Sequence, residues 1–235
     1  MKYKYNINRS FFLKAYLRGG LKYFINNVTN PMIKPINTDM ITCFVAGCGH
    51  SGTTLIAAKL GNHPEIFTIP RETYNFELSK GLYTSKEVVF EWLTFAEFLG
   101  KDFLIEKTPK HIYSIERIKR ILPNAKFILM LRNPLDNCAS LYKRFGDIDY
   151  AIERWVVDNK AILRCRGLDK VKIVKYESLT RNPLENFKSI CYFLKINWDE
   201  EILSIKNTVY DKVKQGGNMK LRQNQVNKPI KNNIG

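Results

Sequence analysis

Eight residues, Gly47-Cys48-Gly49-His50-Ser51-Gly52-Thr53-Thr54, carry the spacing G-x-x-x-x-G-x-[ST] of a loop built to wrap an anion. Glycines let the backbone curl, and its N–H groups, with the N-terminus of a following helix, donate to phosphate or sulfate oxygens. The lysine that nucleotide triphosphatases place after the second glycine is absent, because Thr53 stands there. A β/γ-phosphate pair with magnesium is therefore a poor match. Magnesium-dependent nucleotide hydrolases also usually end a neighbouring strand in Asp; here Lys126–Leu131 runs into Arg132. A cation at that edge suits a metal-free phosphate site. Asn133-Pro134 then opens a helix on which Ser140 and Arg144, four residues apart, share a face. Arg132, Ser140 and Arg144 can converge on one phosphate, with arginine offering a bidentate fork.

These residues need strand tips and helix starts to hold them. Ile41–Ala46 reads as a continuous apolar strand, followed by the Gly-rich turn and a helix from about Thr53 to Gly61. Ile66–Ile69, Asp102–Glu106, Lys126–Leu131 and Val171–Lys175 read as further strands. Helices are expected over Glu87–Leu99, Ile112–Leu122, 134–145 and 148–165, the last with Ile152, Trp155, Val156, Ile162 and Leu163 on one stripe. Asn182-Pro183 opens another, with Asn182 as cap, Glu185 able to reach back, and Leu184, Phe187, Cys191 and Leu194 facing the core. Apolar strands alternating with helices predict an α/β three-layer fold, a central, mostly parallel sheet of about five strands flanked by helices. Ligands in such sheets sit at the carboxyl ends of the strands, which is where the loop and Arg132 fall.

The chain has 235 residues, 38 Lys+Arg against 22 Asp+Glu, and a net charge of +16. Residues 1–40 and 206–235 each carry seven basic side chains and one acidic one, so the middle, 41–205, holds only +4. Residues 1–40 read as a basic, partly helical arm closed by Asn30-Pro31 and Lys34-Pro35, and 41–235 as the folded domain. Such ends attract polyanions without choosing among them. No apolar run approaches the roughly 18–20 residues of a membrane-spanning helix. Five cysteines, an odd number without a C-x-x-C pair, suit reduced, buried thiols in a cytoplasmic protein. Three histidines at no ligand-like spacing argue against a structural metal.

Gly-x-x-His-Ser-Gly-Thr-Thr-Leu together with Arg132-Asn133-Pro134-x-Asp136-x-x-x-Ser140-x-Tyr142 resembles the two nucleotide motifs of sulfotransferases that use PAPS, 3′-phosphoadenosine 5′-phosphosulfate. The resemblance continues through Glu106-Lys107-Thr108-Pro109, Lys175-Tyr176-Glu177-x-Leu179, Asn182-Pro183 and Gln225-Val226-x-Lys228-Pro229, in order over about residues 41–235. His63-Pro64, Glu72-Thr73 and the Gln-Val-x-Lys-Pro tail make the pattern most similar to tyrosylprotein sulfotransferases. The resemblance implies a P-loop-like sulfotransferase fold. It implies a 5′-phosphosulfate site at Gly49, His50, Ser51, Gly52, Thr53 and Thr54, and a 3′-phosphate site at Arg132 and Ser140, supported by Arg144. Tyr176 and Lys228 would contact the nucleotide from later loops.

The implied reaction is in-line transfer of SO₃ to an acceptor oxygen or nitrogen, releasing PAP, with no metal required. Positioning, a base and cations on the developing charge are its needs. Glu72, in Pro70-Arg71-Glu72-Thr73, matches the catalytic Glu of the tyrosylprotein branch, and Arg71 beside it would depress its pKa if the two touch. Lys107 matches a lysine that stabilises the transferring group. His111 is the rival base, two residues late relative to the His of cytosolic sulfotransferases. His50 departs from the Lys or Arg usual before Ser-Gly-Thr-Thr, so its charge, and any help it gives, would change with pH near neutrality. The expected acceptor is a peptide tyrosine, a glycan or a small molecule, and a homodimer stays open. Two alternatives stand beside this reading: a P-loop kinase or NTPase, and a non-enzymatic polyanion binder. No RNA- or DNA-binding motif supports a specific nucleic-acid partner.

Overall fold

Strand alternation sorts the core onto two faces of one sheet. A computed structural model describes residues 33–205. Five strands, β1 (Ile41–Gly47), β2 (Ile66–Thr68), β3 (Phe103–Lys107), β4 (Lys126–Leu131) and β5 (Val171–Lys175), form a sheet in the order β2-β3-β1-β4-β5. Every pairing is parallel. Side chains on a strand point alternately to opposite faces. Accordingly Cys43 and Val45 of β1, with Ile128 and Met130 of β4, join one buried cluster, while Phe44 and Ala46, with Phe127 and Leu129, join the other. Both faces are covered, so the central strands read apolar throughout.

Helix α1 (Thr53–Leu60) and helix α7 (Pro183–Leu194) cover the first face. Helices α2 (Leu82–Phe98), α3 (Ile115–Ile121) and α5 (Ile148–Arg164) contribute to the second. Helix α4 (Pro134–Phe145) packs on α5, and α6 (Tyr176–Arg181) follows β5 directly. Phe44 anchors the second face, stacked on Phe127 at 5.9 Å between ring centres and edge-on to Phe76 at 5.5 Å. Burying one such ring contributes about 1.5–3 kcal/mol. Residues 33–40 run as coil and bends, with Ile33, Ile36 and Met40 against this face; the rest of the basic arm, Lys228 and the Gln225–Pro229 tail lie outside the described residues.

Several expectations shift. Helix α2 starts at Leu82 rather than Glu87, because Ser85 docks its first turn: Ser85 Oγ donates to Asn75 O at 2.6 Å, and Asn75 Nδ2 returns to Ser85 O at 3.0 Å. The expected 112–122 helix divides into a 3₁₀ turn, Pro109–Tyr113, and α3, with Ser114 at the break donating to Phe76 O at 2.8 Å. On α5 the buried residues are Ala151, Asp158, Asn159 and Ile162, whereas Ile152 and Leu163 are exposed. Polar residues take that face because Tyr113, Arg154 and the Trp155 carbonyl are there to bond them. Asn182 makes no side-chain cap. It also closes the α6 turn, its N–H bonded to Ser178 O, so it lacks the extended backbone a cap requires. Leu184 is exposed, and Ile190 takes its place in the core.

Candidate functional site

The loop after β1 and the turn after β4 meet where the chain changes side. Helix α1 leaves β1 over one face and α5 returns over the other, and the crevice between two such strands is where open α/β sheets bind ligands. Gly47 pairs with Met130 at these tips with φ +142°, and a Cβ there would lie 2.5 Å from the Met130 carbonyl oxygen. Glycine is required for the strands to close. Gly52 has φ +96°, and a Cβ would lie 2.5 Å from Tyr176 Cδ2. Between them, buried Ser51 donates its hydroxyl to Cys48 O at 2.6 Å, and the first turn of α1 carries no acidic side chain to offset its positive end.

Arg132 ties the second motif to the first. Its Nη1 donates to His50 O at 3.1 Å, its guanidinium lies 4.5 Å over the Tyr176 ring, and its Nη2 stands 3.9 Å from Asp136. Its buried Nε has no hydrogen-bond partner among the described residues. A buried charged donor left unpaired is costly, so the site fits an anion. Asn133 caps α4 by accepting from Asp136 N–H at 2.9 Å, while its own N–H and Nδ2 donate to Glu177 Oε1 at 2.9 and 3.0 Å. Glu177 thereby orients the Arg132 turn. His50 Nδ1 and Ser140 Oγ are 2.8 Å apart, joining loop to α4. Arg144 lies one turn beyond Ser140, exposed.

Glu72 comes from the β2–α2 loop. Its Oε1 accepts from Lys107 Nζ at 2.7 Å, and its Oε2 accepts from the Tyr74 hydroxyl. Lys107 has no exposed surface and ends β3 opposite Val45 of β1, two residues before Gly47. Thus β3 delivers Lys107, and with it Glu72, to the same row of strand tips as the loop and Arg132.

Beside them a buried network joins Glu106 and Thr108 of the β3 motif to Thr73 and to His111, the rival base. Glu106 shares Leu104's face of β3, fully buried; its Oε1 accepts from Thr73 Oγ1 at 2.9 Å and Thr108 Oγ1 at 2.6 Å, and its Oε2 faces His111 Nδ1 at 2.9 Å. Phe76 N–H donates to His111 Nε2 at 3.4 Å, which assigns the ring proton to Nδ1. His111, with 1% exposure and both nitrogens engaged, is enclosed among Phe44 and Phe76. Its position makes it part of the frame behind Glu72.

Arg154 of α5 went unrecognised. A Cβ on Gly49 would lie 2.7 Å from its Nη2, and Asn137 Nδ2 donates to Gly49 O at 2.8 Å, so α4 and α5 brace the loop from behind. Burial would lower the Arg154 pKa, but the Asp158 carboxylate 3.5 Å away and Tyr150 raise it. Burial, reinforced by Asp158, pushes the Cys48 thiol far up. The loop cysteine is therefore a protonated packing residue. No periodicity or motif marks Arg154; Glu106 opens the Glu106-Lys107-Thr108-Pro109 motif and is a charged residue at the end of an otherwise apolar strand, Phe103-Leu104-Ile105.

A Gly-rich strand-to-helix loop and a cationic strand end stand together at the switch point of a parallel α/β sheet. The profile of the sulfotransferase family matches residues 81–200, just over half of the chain, and the chain belongs to that family. It is similar to protein-tyrosine sulfotransferase 1 of Danio rerio, 28% identical over 227 residues that cover 81% of this chain and 61% of that protein. Protein-tyrosine sulfotransferase A of Caenorhabditis elegans is 25% identical over 222 residues, covering 80% of this chain and 58% of that protein. The chain thus spans about three fifths of the length of these relatives. Among solved structures, the sulfotransferase domain from the curacin biosynthetic pathway superposes with a TM-score of 0.59 at 19% identity, covering 85% of this chain and 86% of that one. At that identity the likeness shows the fold, a P-loop-like sulfotransferase sheet.

Proposed function

We propose that the protein transfers the sulfuryl group of PAPS to an acceptor hydroxyl, with Glu72 as general base. One observation carries the reading: Arg132 of the β4 turn donates to the His50 carbonyl of the β1 loop at 3.1 Å, which supports the two motifs serving one nucleotide. The amides of Gly49–Thr54 and the N-terminus of α1 would hold the 5′-phosphosulfate, and Arg132 and Ser140 the 3′-phosphate, with Arg144 and Lys228 in support. Tyr176, stacked on Arg132, would line the nucleotide. PAPS supplies the group transferred and, as PAP, its leaving group. Glu72 accepts the acceptor proton, and Lys107 holds Glu72 and places positive charge where negative charge develops. The enclosure of His111 supports Glu72 over it. The relatives' names support a protein tyrosine as acceptor, and the free thiols support a reducing, cytoplasmic setting.

Calorimetric titration with PAP tests the reading. Arg132→Ala is expected to weaken binding about 10- to 100-fold, the loss of roughly 1.5–3 kcal/mol for hydrogen bonds to a charged group. Wild-type binding should persist at high salt. Binding that salt erases and Arg132→Ala leaves intact would instead make the protein a general polyanion binder.

A further inference from the structure

The proposed base already holds a phenol. Tyr74 Oη donates to Glu72 Oε2, the oxygen opposite the one Lys107 binds. A general base must lie within hydrogen-bond reach of the proton it removes, and the Tyr74 hydroxyl meets that requirement. Its backbone is left-handed, with φ +51°, uncommon for a bulky residue. That turn folds the ring back onto the carboxylate two residues earlier.

The turn is held from both sides. Thr73 N–H donates to Thr108 Oγ1 at 3.0 Å and Thr73 Oγ1 to Glu106 at 2.9 Å, while Asn75 is fixed to Ser85 through bonds of 2.6 and 3.0 Å. Strain that buried neighbours enforce in this way points to a functional position. Tyr74 remains 38% exposed, so packing does not seal it off.

We propose that Tyr74 is itself an acceptor, sulfated by its own active site when PAPS binds without an external acceptor. The inference rests on the function proposed above. In the step, Tyr74 Oη forms a bond to sulfur and its proton passes to Glu72 Oε2. The bond between sulfur and the bridging oxygen of the 5′-phosphate breaks, its electron pair staying on that oxygen. The products are PAP and tyrosine O-sulfate at residue 74. An acceptor fixed beside its base needs no encounter, which raises its effective concentration over any diffusing phenol.

Peptide mapping tests this directly. Trypsin cutting after Arg71 and Lys80 releases residues 72–80, ETYNFELSK, in which Tyr74 is the one tyrosine. Full-length protein incubated with PAPS alone should gain one SO₃ on this peptide, with fragment ions placing it on Tyr74. Excess PAP and Tyr74→Phe should each prevent it, and the rate constant should not depend on protein concentration. The wild-type map carries the test even if the variant folds poorly. PAP calorimetry and sulfation of an added tyrosine peptide run in parallel. A sulfated added peptide with residues 72–80 unmodified overturns self-sulfation and leaves the proposed function standing. Label confined to other peptides, or rising with protein concentration, overturns it as well. Absence of PAP binding and of all transfer overturns both.

Discussion

Glu72 and Lys107 illustrate how residue chemistry depends on neighbours far away in sequence. An isolated loop carboxylate would be solvated; here a fully buried ammonium, 35 residues on, holds one oxygen at 2.7 Å. That contact fixes the direction of the carboxylate and gives the lysine the partner a buried cation needs. Glu72→Gln keeps an oxygen for Lys107 and removes the base. We expect kcat to fall about 10²- to 10⁴-fold, the usual worth of a positioned base, with PAP affinity measured by calorimetry unchanged. A variant that retains most of its rate would assign the proton to another group.

Among the elements, β3 bears most on the site, although it is five residues long. Alternation sends Glu106 to the face lined by Phe44 and Phe76, where it pins the β2–α2 loop, while Lys107 reaches the loop's carboxylate at the tip. Four donors, from Thr73, Thr108 and His111, converge on the two Glu106 oxygens. A glutamine there offers one accepting oxygen and an NH₂ group that can only donate. If its NH₂ faces His111, the ring proton must move to Nε2, where the Phe76 N–H already points. Glu106→Gln is therefore expected to cost about 1–3 kcal/mol, one unsatisfied buried group, seen as a lowered Tm. It should also lower kcat at unchanged PAP affinity, because the base loop shifts and the nucleotide loop does not. An unaltered Tm would remove Glu106 from the frame.

For the molecule as a whole, stability at high pH follows from its buried thiols. Burial pushes Cys43 from its ordinary value of 9.0 up to about 12 and Cys191 up to about 11. These folded-state values lie above the unfolded ones, so the folded protein binds more protons once pH exceeds about 9. The stabilisation is complete below that pH and is lost as pH climbs toward 11 to 12. Urea midpoints measured from pH 8 upward should fall less steeply in Cys43→Ala than in wild type; parallel curves would contradict the assignment. The layer order, the strand positions, the Gly-rich loop and Arg132 were legible in the chain, because apolar runs and Gly, Pro and Arg at strand ends express local rules of backbone and burial. The start of α2, the break at Ser114, the polar inner face of α5, and the roles of Glu106, Arg154 and Tyr74 were not. Each takes its meaning from a hydrogen bond or close contact that exists only once distant segments have packed, and the energy of such a bond depends on burial and geometry that no spacing along the chain encodes.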